Sequence, residues 1–399
     1  MHAFIKLLVI IYIHKNYSQD DKGIEMNFWL FVAVFTSLMA LLNLYTYKRF
    51  LKKLITPLNS YVIFIPIILL ALEILFSLDR VLHILPESQA LYYFILSSVG
   101  ITTALFIMAI IYDVNLSVSK RIPYNQERRQ FIKIIFDTTI VILAFTYLFK
   151  GFKGAIDKPR LNVVDVKIDN FVGEFTIMQL SDVHVGKTIK KDSIEDIVKR
   201  VNAQNPDMVV LTGDVIDDEV ENIKEDLLPL KDLKADSYFV LGNHEYFHGV
   251  DKAIEMMKSL GIKVMLNESL VIDNRFNLIG LKDLMGFRLD HHKMDVEKAY
   301  ENIDKSLPSI VLAHQPKTMQ FMKYRSCDLM LSGHTHGGQI FPLGLLVKLD
   351  QPYLAGLYQH SKKQQIFVSR GSGYWGPPFR FLAPSEISKI VIRGKVKSV

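Results

Sequence analysis

Apolar residues are unevenly distributed along this chain. Four long runs fall in the first 150 positions: "NFWLFVAVFTSLMALLNLYTY" (27–47), "YVIFIPIILLALEILFSL" (61–78), "ALYYFILSSVGITTALFIMAII" (90–111) and "FIKIIFDTTIVILAFTYLFKGF" (131–152). A helix needs about 20 apolar residues to cross a bilayer, so the pattern predicts an all-α transmembrane region, 27–152, with about four spanning helices. The fourth run is the weakest, because it carries Lys133 and Asp137. The opening run "FIKLLVIIYI" (4–13) is too short to span, and residues 1–26 form a segment of uncertain status, with Met26 an alternative start.

Beyond residue 160 the period changes. A basic, glycine-containing stretch, "KGFKGAIDKPR" (150–160), marks the boundary, with a linker at 153–162 and a second domain at 163–399. Short apolar runs that read as strands end in polar residues: "EFTIMQLSDVH" (174–184), "MVVLTGDV" (208–215), "SYFVLGNHE" (237–245), "SIVLAHQP" (309–316) and "LMLSGHTH" (329–336). Between them, "SIEDIVKRVNAQ" (193–204) sets Ile194, Ile197, Val198 and Val201 on one helical face. The stretch "LVIDNRFNLIG" (270–280) predicts a hairpin turning near Asp273–Asn274. Apolar strands alternating with amphipathic helices predict an α/β domain with a largely buried sheet. Ligands of such folds bind at the carboxyl ends of the strands.

Composition sharpens this reading. Half of the 399 residues are hydrophobic, which is high for a soluble protein and fits a membrane region. The single cysteine, Cys327, excludes an intrachain disulfide framework and any multi-cysteine metal site. The net charge of +6 would suit nucleic acid, but the basic residues gather beside the apolar runs, at Lys48, Arg49, Lys52, Lys53, Lys120, Arg121, Arg128 and Arg129. They read as topology determinants, so no nucleic-acid partner is expected.

Basic loops favour the cytoplasmic side of the membrane, here a bacterial-type inner membrane. That rule places 48–60 and 112–130 inside, and a spanning fourth helix then delivers the C-terminal domain outside. Lys150, Lys153, Lys158 and Arg160 pull the other way. The stretch "RRQFIK" (128–133) resembles a twin-arginine export signal, although two arginines flanking a membrane helix explain it nearly as well. The expectation is an extracytoplasmic domain, with the cytoplasmic alternative open.

Each predicted strand end of the second domain carries an oxygen or imidazole donor: Asp182 and His184, Asp214, Asn243 and His244, His314, then His334 and His336. Mixed carboxylate, amide and imidazole donors without thiolates suit manganese, iron, zinc or magnesium. The donors outnumber the needs of one tetrahedral ion, and two ions about 3.5–4 Å apart would use them all. On a strand, His334 and His336 would face the same way.

In this order the motifs "SDVH" (181–184), "GDVID" (213–217), "GNHE" (242–245), "AH" (313–314) and "GHTH" (333–336) resemble the calcineurin-like metallophosphoesterase family, with no member missing. The resemblance covers residues 160–399. It is strongest to the membrane-associated YkuE-like branch, through "GHTHGGQ" and "SRGSGYWGPPFRFLAPSEI" (369–387). It implies a four-layer αββα sandwich. It also implies one metal on Asp182, His184 and His336, a second on Asn243, His314 and His334, and Asp214 bridging both. Asp217 and Glu245 would orient these ligands, and His244 would stabilise the transition state or protonate the leaving oxygen.

Arg370 and Arg380 bracket the loop "GSGYWGPPF" (371–379) as candidate phosphate contacts, while His248, His291, His292 and His360 read as surface residues. The run "FPLGLLVKL" (341–349) is apolar for a loop and reads either as lipid-facing or as a buried strand. The expected activity is hydrolysis of a phosphoester or pyrophosphate in a lipid or lipid-linked substrate. UDP-2,3-diacylglucosamine, cleaved by pyrophosphatases of lipid A synthesis, is the most concrete choice. An outward-facing domain would instead meet phospholipid or a cell-envelope polymer, and a non-catalytic membrane sensor is the alternative of a different class.

Overall fold

The computed structural model describes residues 21–54, 60–119 and 126–394. The run at 4–13 and the basic pair Lys120–Arg121 lie outside these residues. The chain divides into two compact units, one helical, running to Ile156 and including Gly376–Phe381, and one of mixed α/β structure, Asp157–Trp375 and onward from Leu382.

The helical unit contains α1 (Asp21–Arg49), α2 (Phe64–Leu82), α3 (Gln89–Ser119) and α4 (Gln126–Ile156). Among the described residues, three stretches are long and apolar enough to cross a membrane: Trp29–Lys53, Gln89–Ser117 and Gln130–Ile156. The run expected as the second span does form a helix, but Glu73, Asp79 and Arg80 set α2 apart. Two of those charges are buried and bonded. Asn43 Nδ2 of α1 donates to Glu73 Oε2 at 2.9 Å, and Asn43 Oδ1 accepts from Thr102 of α3. Asp79 accepts from Tyr92 Oη at 2.7 Å and from the Leu85 N–H at 2.8 Å.

The polar pair of the fourth run settles itself in the same manner. Lys133 Nζ donates to Asp137 one turn on at 2.6 Å, and Tyr112 Oη donates to the other Asp137 oxygen at 2.8 Å. In Gly376–Phe381, Phe379 packs on Tyr147 and edge-on against Phe152, with ring centroids 5.6 and 5.2 Å apart. Arg380, buried at 2% exposure, gives its backbone N–H to Gly151 O.

The stretch read as a linker, 153–162, is helical up to Ile156 and a strand from Arg160. The α/β unit then folds as two six-stranded sheets. The strands are β1 (Arg160–Ile168), β2 (Glu174–Leu180), β3 (Met208–Thr212), β4 (Ser237–Val240), β5 (Lys263–Val264), β6 (Glu268–Ile272), β7 (Phe276–Gly280), β8 (Ser309–Leu312), β9 (Leu329–Ser332), β10 (Gly356–Gln359), β11 (Gln365–Val368) and β12 (Glu386–Gly394). The first sheet runs β1-β12-β2-β3-β4-β5, the second β10-β11-β9-β8-β7-β6. The central strands β2, β3 and β4 are parallel to one another, as are β7, β8, β9 and β11.

Side-chain alternation explains why these strands read as unbroken apolar runs. Phe175, Ile177, Val210 and Val240 of one sheet meet Phe276, Leu278, Ile310, Leu331 and Phe367 of the other in one inter-sheet core. Alternate residues of the second sheet, Ile279, Val311, Met330 and Ile366, face the opposite way and pack with Met294, Ala299 and Met319. Amphipathic helices α5 (Lys191–Asn202), α6 (Val220–Leu227) and, further on, Val250–Ser259 bury one stripe each. Both faces of the strands are thus covered, as parallel sheets require, and the expected αββα layering holds. The hairpin turns through a three-residue loop, 273–275, with Asp273 and Asn274 both at positive φ (50° and 53°) and the Arg275 N–H donating to Ile272 O.

Phe276, wholly buried, sits edge-on to Phe175 with centroids 5.1 Å apart at the centre of that core. Phe276→Ala is expected to destabilise the α/β unit by about 3–5 kcal/mol. Chemical denaturation followed by circular dichroism checks this, and a loss below 1 kcal/mol would show the core tolerates the cavity.

Candidate metal centre

The strand ends of the two sheets present their polar residues through turns rather than through continued strand. β2 stops at Leu180, β3 at Thr212 and β9 at Ser332, each before its metal-type residues. Five of those residues then adopt positive φ: Asp182 (51°), His184 (54°), Asp214 (52°), His334 (71°) and His336 (51°). Left-handed backbone is costly for residues with a Cβ and collects at functional sites. This corrects the alternation argument for His334 and His336. They leave the strand in a strained turn, and each joins a different group of donors.

Two glycines make the turns possible. Gly213 has φ +81°, and a Cβ there would run into the backbone of Gly242 and the His314 ring. A Cβ on Gly333 would strike Ser181 and the Asp182 carboxylate. The glycine preceding each motif therefore lets neighbouring loops touch.

Asp182, His184 and His336 form one group, all buried. His184 Nε2 lies 3.0 Å from His336 Nε2, and His336 Nε2 lies 3.4 Å from Asp182 Oδ1. Asp214, His314 and His334 form the other. His314 Nε2 is 3.0 Å from Asp214 Oδ2, 3.2 Å from Asn243 Oδ1 and 3.1 Å from His334 Nδ1. Asp214 Oδ2 also lies 4.0 Å from His184 Nε2, so this carboxylate stands between the groups. Buried imidazole nitrogens converging at 3.0–3.1 Å on one another and on carboxylates are lone pairs aimed at a common point. A pair of cations satisfies such a donor set.

Neighbouring bonds fix the orientation of the donors. The Thr212 carbonyl accepts from His314 Nδ1 at 2.8 Å, which orients Nε2 toward Asp214 and Asn243. Asp182 accepts from Ser181 Oγ and from the His334 N–H. Glu245 is wholly buried and accepts four backbone N–H bonds, from Gly242, Asp214, Val215 and Ile216, at 2.7–3.1 Å. Glu245 therefore locks the Asp214 turn to the short helix α7 (Asn243–Phe247). Asp217 accepts from His244 Nδ1 at 2.6 Å and lies 3.7 Å from His184 Nδ1. Because Asn243 and His244 open a helix, the divergence expected of adjacent strand residues gives way to helical geometry.

Several sequence expectations resolve differently. His248, read as a surface residue, stands 3.5 Å from Asp217 within the cluster's rim. The Arg370 stem lies against Gly337, next to His336, while its guanidinium pairs with Glu386 at 3.0 Å. Arg380 belongs to the helical unit. Trp375 was not singled out. Its ring lies 5.5 Å from that of His244, edge to face, held by reciprocal bonds between its backbone and the Gln339 amide. The signal available in the sequence was an aromatic inside the glycine-proline loop, directly before Gly376.

Electrostatics follow from packing acids and imidazoles together. Burial alone would lower His314, but the carboxylates of Asp214, Asp182 and Asp283 push it up to about 10. His244 is also buried, yet Asp214 and Asp217 raise it to about 9. Burial would raise Asp217, and the charge of His244 with its neighbours' hydrogen bonds instead holds it well below the usual range. Burial raises Asp182, outweighing the nearby imidazoles.

These shifts have a sign. A histidine raised from 6.5 in the unfolded chain to about 10 in the fold contributes stability that is full below pH 6.5 and lost as pH rises through 10. Chelator-treated protein is therefore expected to melt at lower temperature at pH 9.5 than at pH 6.5. Metal loading needs neutral imidazoles, so it releases protons and tightens over the same interval. Thermal melts of stripped and loaded protein test this, and a flat stripped profile would contradict it. Asp217→Asn is expected to weaken metal affinity or activity by about 10–100-fold, read by metal titration.

Comparison with known proteins agrees with this geometry. The model of the calcineurin-like phosphoesterase family matches residues 175–338. An uncharacterised metallophosphoesterase of Helicobacter pylori is 37% identical over 368 residues, spanning 90% of this chain and 97% of its own. A metallophosphoesterase of Campylobacter jejuni is 33% identical over 376 residues, spanning 93% of this chain and all of its own. A transmembrane protein with a metallophosphoesterase domain from Danio rerio is 30% identical over 406 residues, spanning 94% and 92%. The strand-end donors and these full-length likenesses together identify the chain as a member of the calcineurin-like phosphoesterase family, a metal-dependent phosphoesterase with transmembrane relatives.

Proposed function

We propose that the protein is a membrane-anchored dinuclear phosphoesterase acting on a phosphorylated lipid or lipid-linked substrate. One observation carries the substrate class. Directly after His336, the segment around the short helix Gly344–Val347 leaves Phe341, Leu345 and Leu349 at 53%, 64% and 81% exposure. The backbones of Gly338 and Gly344 touch, so this apolar surface is fastened to the turn that bears His336. An exposed patch of large apolar residues marks an interaction surface, and the chain carries its own membrane helices.

In this reading Asp182, His184 and His336 would hold one cation, Asn243, His314 and His334 would hold the other, and Asp214 would serve both. Cations so held activate water and neutralise charge on a phosphoryl group. The remaining work falls to the chain's own groups. Asp217 accepts the Nδ1 proton of His244, which fixes the ring with Nε2 turned 4.0 Å from Asp214. That hydrogen bond leaves Nε2 free to face the substrate, where it can protonate the leaving oxygen. Trp375 covers one edge of that imidazole and limits its contact with water.

The side of the membrane decides between substrates. Crossing by α2 as well as by the other three helices keeps both basic loops inside, and the buried bonds of Glu73 and Asp79 support that crossing. Four crossings put the α/β unit outside a bacterial-type inner membrane, where phospholipid or an envelope polymer is the substrate. With the unit in the cytoplasm, UDP-2,3-diacylglucosamine is the leading candidate. The intact donor set argues against a non-catalytic sensor.

Two measurements test these readings. A compartment-reporting C-terminal fusion is expected to read outside, and loss of that signal on Arg128/Arg129→Lys would support twin-arginine export. A cytoplasmic reading would reject the four-crossing topology. Joint Leu345/Leu346/Leu349→Ser is expected to lower hydrolysis of micellar lipid phosphate by at least about tenfold, with hydrolysis of bis-p-nitrophenyl phosphate unchanged. Equal loss on both substrates would remove the lipid assignment, whereas Asp214→Asn should abolish both activities.

A further inference from the structure

Away from the metal centre, Asp251, His291 and His292 bring three ligand atoms within 4.8 Å of one another. Asp251 lies in the first turn of α8 (Val250–Ser259), and the histidines come from the loop that follows Met285–Arg288. His292 Nε2 is 2.8 Å from Asp251 Oδ1, and His291 Nε2 is 3.2 Å from Oδ2. Adjacent side chains in extended backbone diverge. Here His292 has φ +45°, after Asp290 at +53°, and the two rings come to a centroid distance of 4.3 Å.

The loop is held in that conformation from beneath. The His291 N–H donates to Gly286 O, Asn267 Nδ2 to Lys293 O at 2.8 Å, and Tyr246 Oη to His292 O at 2.8 Å. A Cβ on Gly286 would collide with the carbonyls of His291 and His292. The nearby cations are engaged elsewhere, Lys252 on Glu221 and Lys293 on Asp290. The Asp251 carboxylate is thus left facing the two imidazoles.

We propose that Asp251, His291 and His292 form a third cation site, separate from the dinuclear pair and selective for a zinc-class ion. Two imidazoles and a carboxylate are the donor set of open zinc sites, with water completing the tetrahedron. Hard ions such as magnesium prefer oxygen ligands, so they are poor competitors. The site has a physical route to the centre. Tyr246 lies on α7, the helix that carries Asn243 and His244, and its hydroxyl holds the His292 carbonyl. A cation that stiffens the 290–293 loop also stiffens the seat of that helix.

The test counts ions. Detergent-solubilised full-length protein is equilibrated with zinc and desalted, and bound zinc per chain is measured by mass spectrometry. His291→Gln/His292→Asn removes both imidazoles, with asparagine tolerating the left-handed backbone at 292. Asp251→Asn is an exposed change that leaves the loop bonds intact. Each variant is expected to bind one zinc fewer than the parent. Asp214→Asn should lose zinc from the dinuclear centre and retain the one at Asp251, so failure of the dinuclear reading leaves this count unaffected. Parent and loop variants binding equal zinc would overturn the proposal.

Discussion

The metal centre rests on buried acids and imidazoles crowded against one another and held in place by the fold. Asp182, His184, Asp214, His314, His334 and His336 are all buried, and their donor atoms point inward at 3–4 Å. Neutral imidazoles and carboxylates facing one another gain nothing until a cation or proton lies between them. The fold supplies the restraint. Glu245 gathers four N–H groups from two separate loops onto one carboxylate, and this keeps the Asp214 turn and the Asn243 helix at a fixed distance. The carboxylates of the same cluster hold protons on His314 and His244, which offset their charge.

The same constraint explains the backbone. Ending β2, β3 and β4 of one sheet and β8 and β9 of the other in polar residues brings these termini together, but continued strand would keep residues two apart on one face. Left-handed residues at 182, 184, 214, 334 and 336 redirect the side chains, so that His334 and His336 join two adjacent groups of donors. Such a conformation is stable only where surrounding structure over-determines it. The two covered sheets, with the Phe276 core between them, provide that rigidity. Chemistry at the rim therefore depends on packing in the interior.

Much of this was visible in the chain before any coordinates. The strand runs at 174–180, 208–212, 309–312 and 329–332 stand out because residues on both faces are buried. The donors stand out because each closes such a run. The turn geometry was hidden, since nothing in "SGHTHG" distinguishes a continuing strand from two left-handed histidines. Trp375 and His248 were hidden for a different reason: their partners, Gln339 and Asp217, are 36 and 31 positions away in the chain. Arg380 carried a misleading signal, because a basic residue in a glycine-proline loop suggests an anion, yet its segment belongs with α4.

The helical unit follows the complementary rule. A bilayer penalises each unpaired polar group, so charged residues in a spanning helix must be bonded within the protein. Lys133 and Asp137 weakened the fourth apolar run in the sequence, but at i and i+4 they neutralise each other, and Tyr112 occupies the second oxygen. Glu73 and Asp79 obey the same rule across helices, through Asn43 and Tyr92. A count of charges cannot separate a bonded carboxylate from a solvated one, so the three charged residues of α2 are a poor guide to its surroundings. The polar contacts that disqualify α2 by composition join α1, α2 and α3 into one bundle. The case for a fourth crossing thus rests on where those carboxylates bond rather than on how many there are.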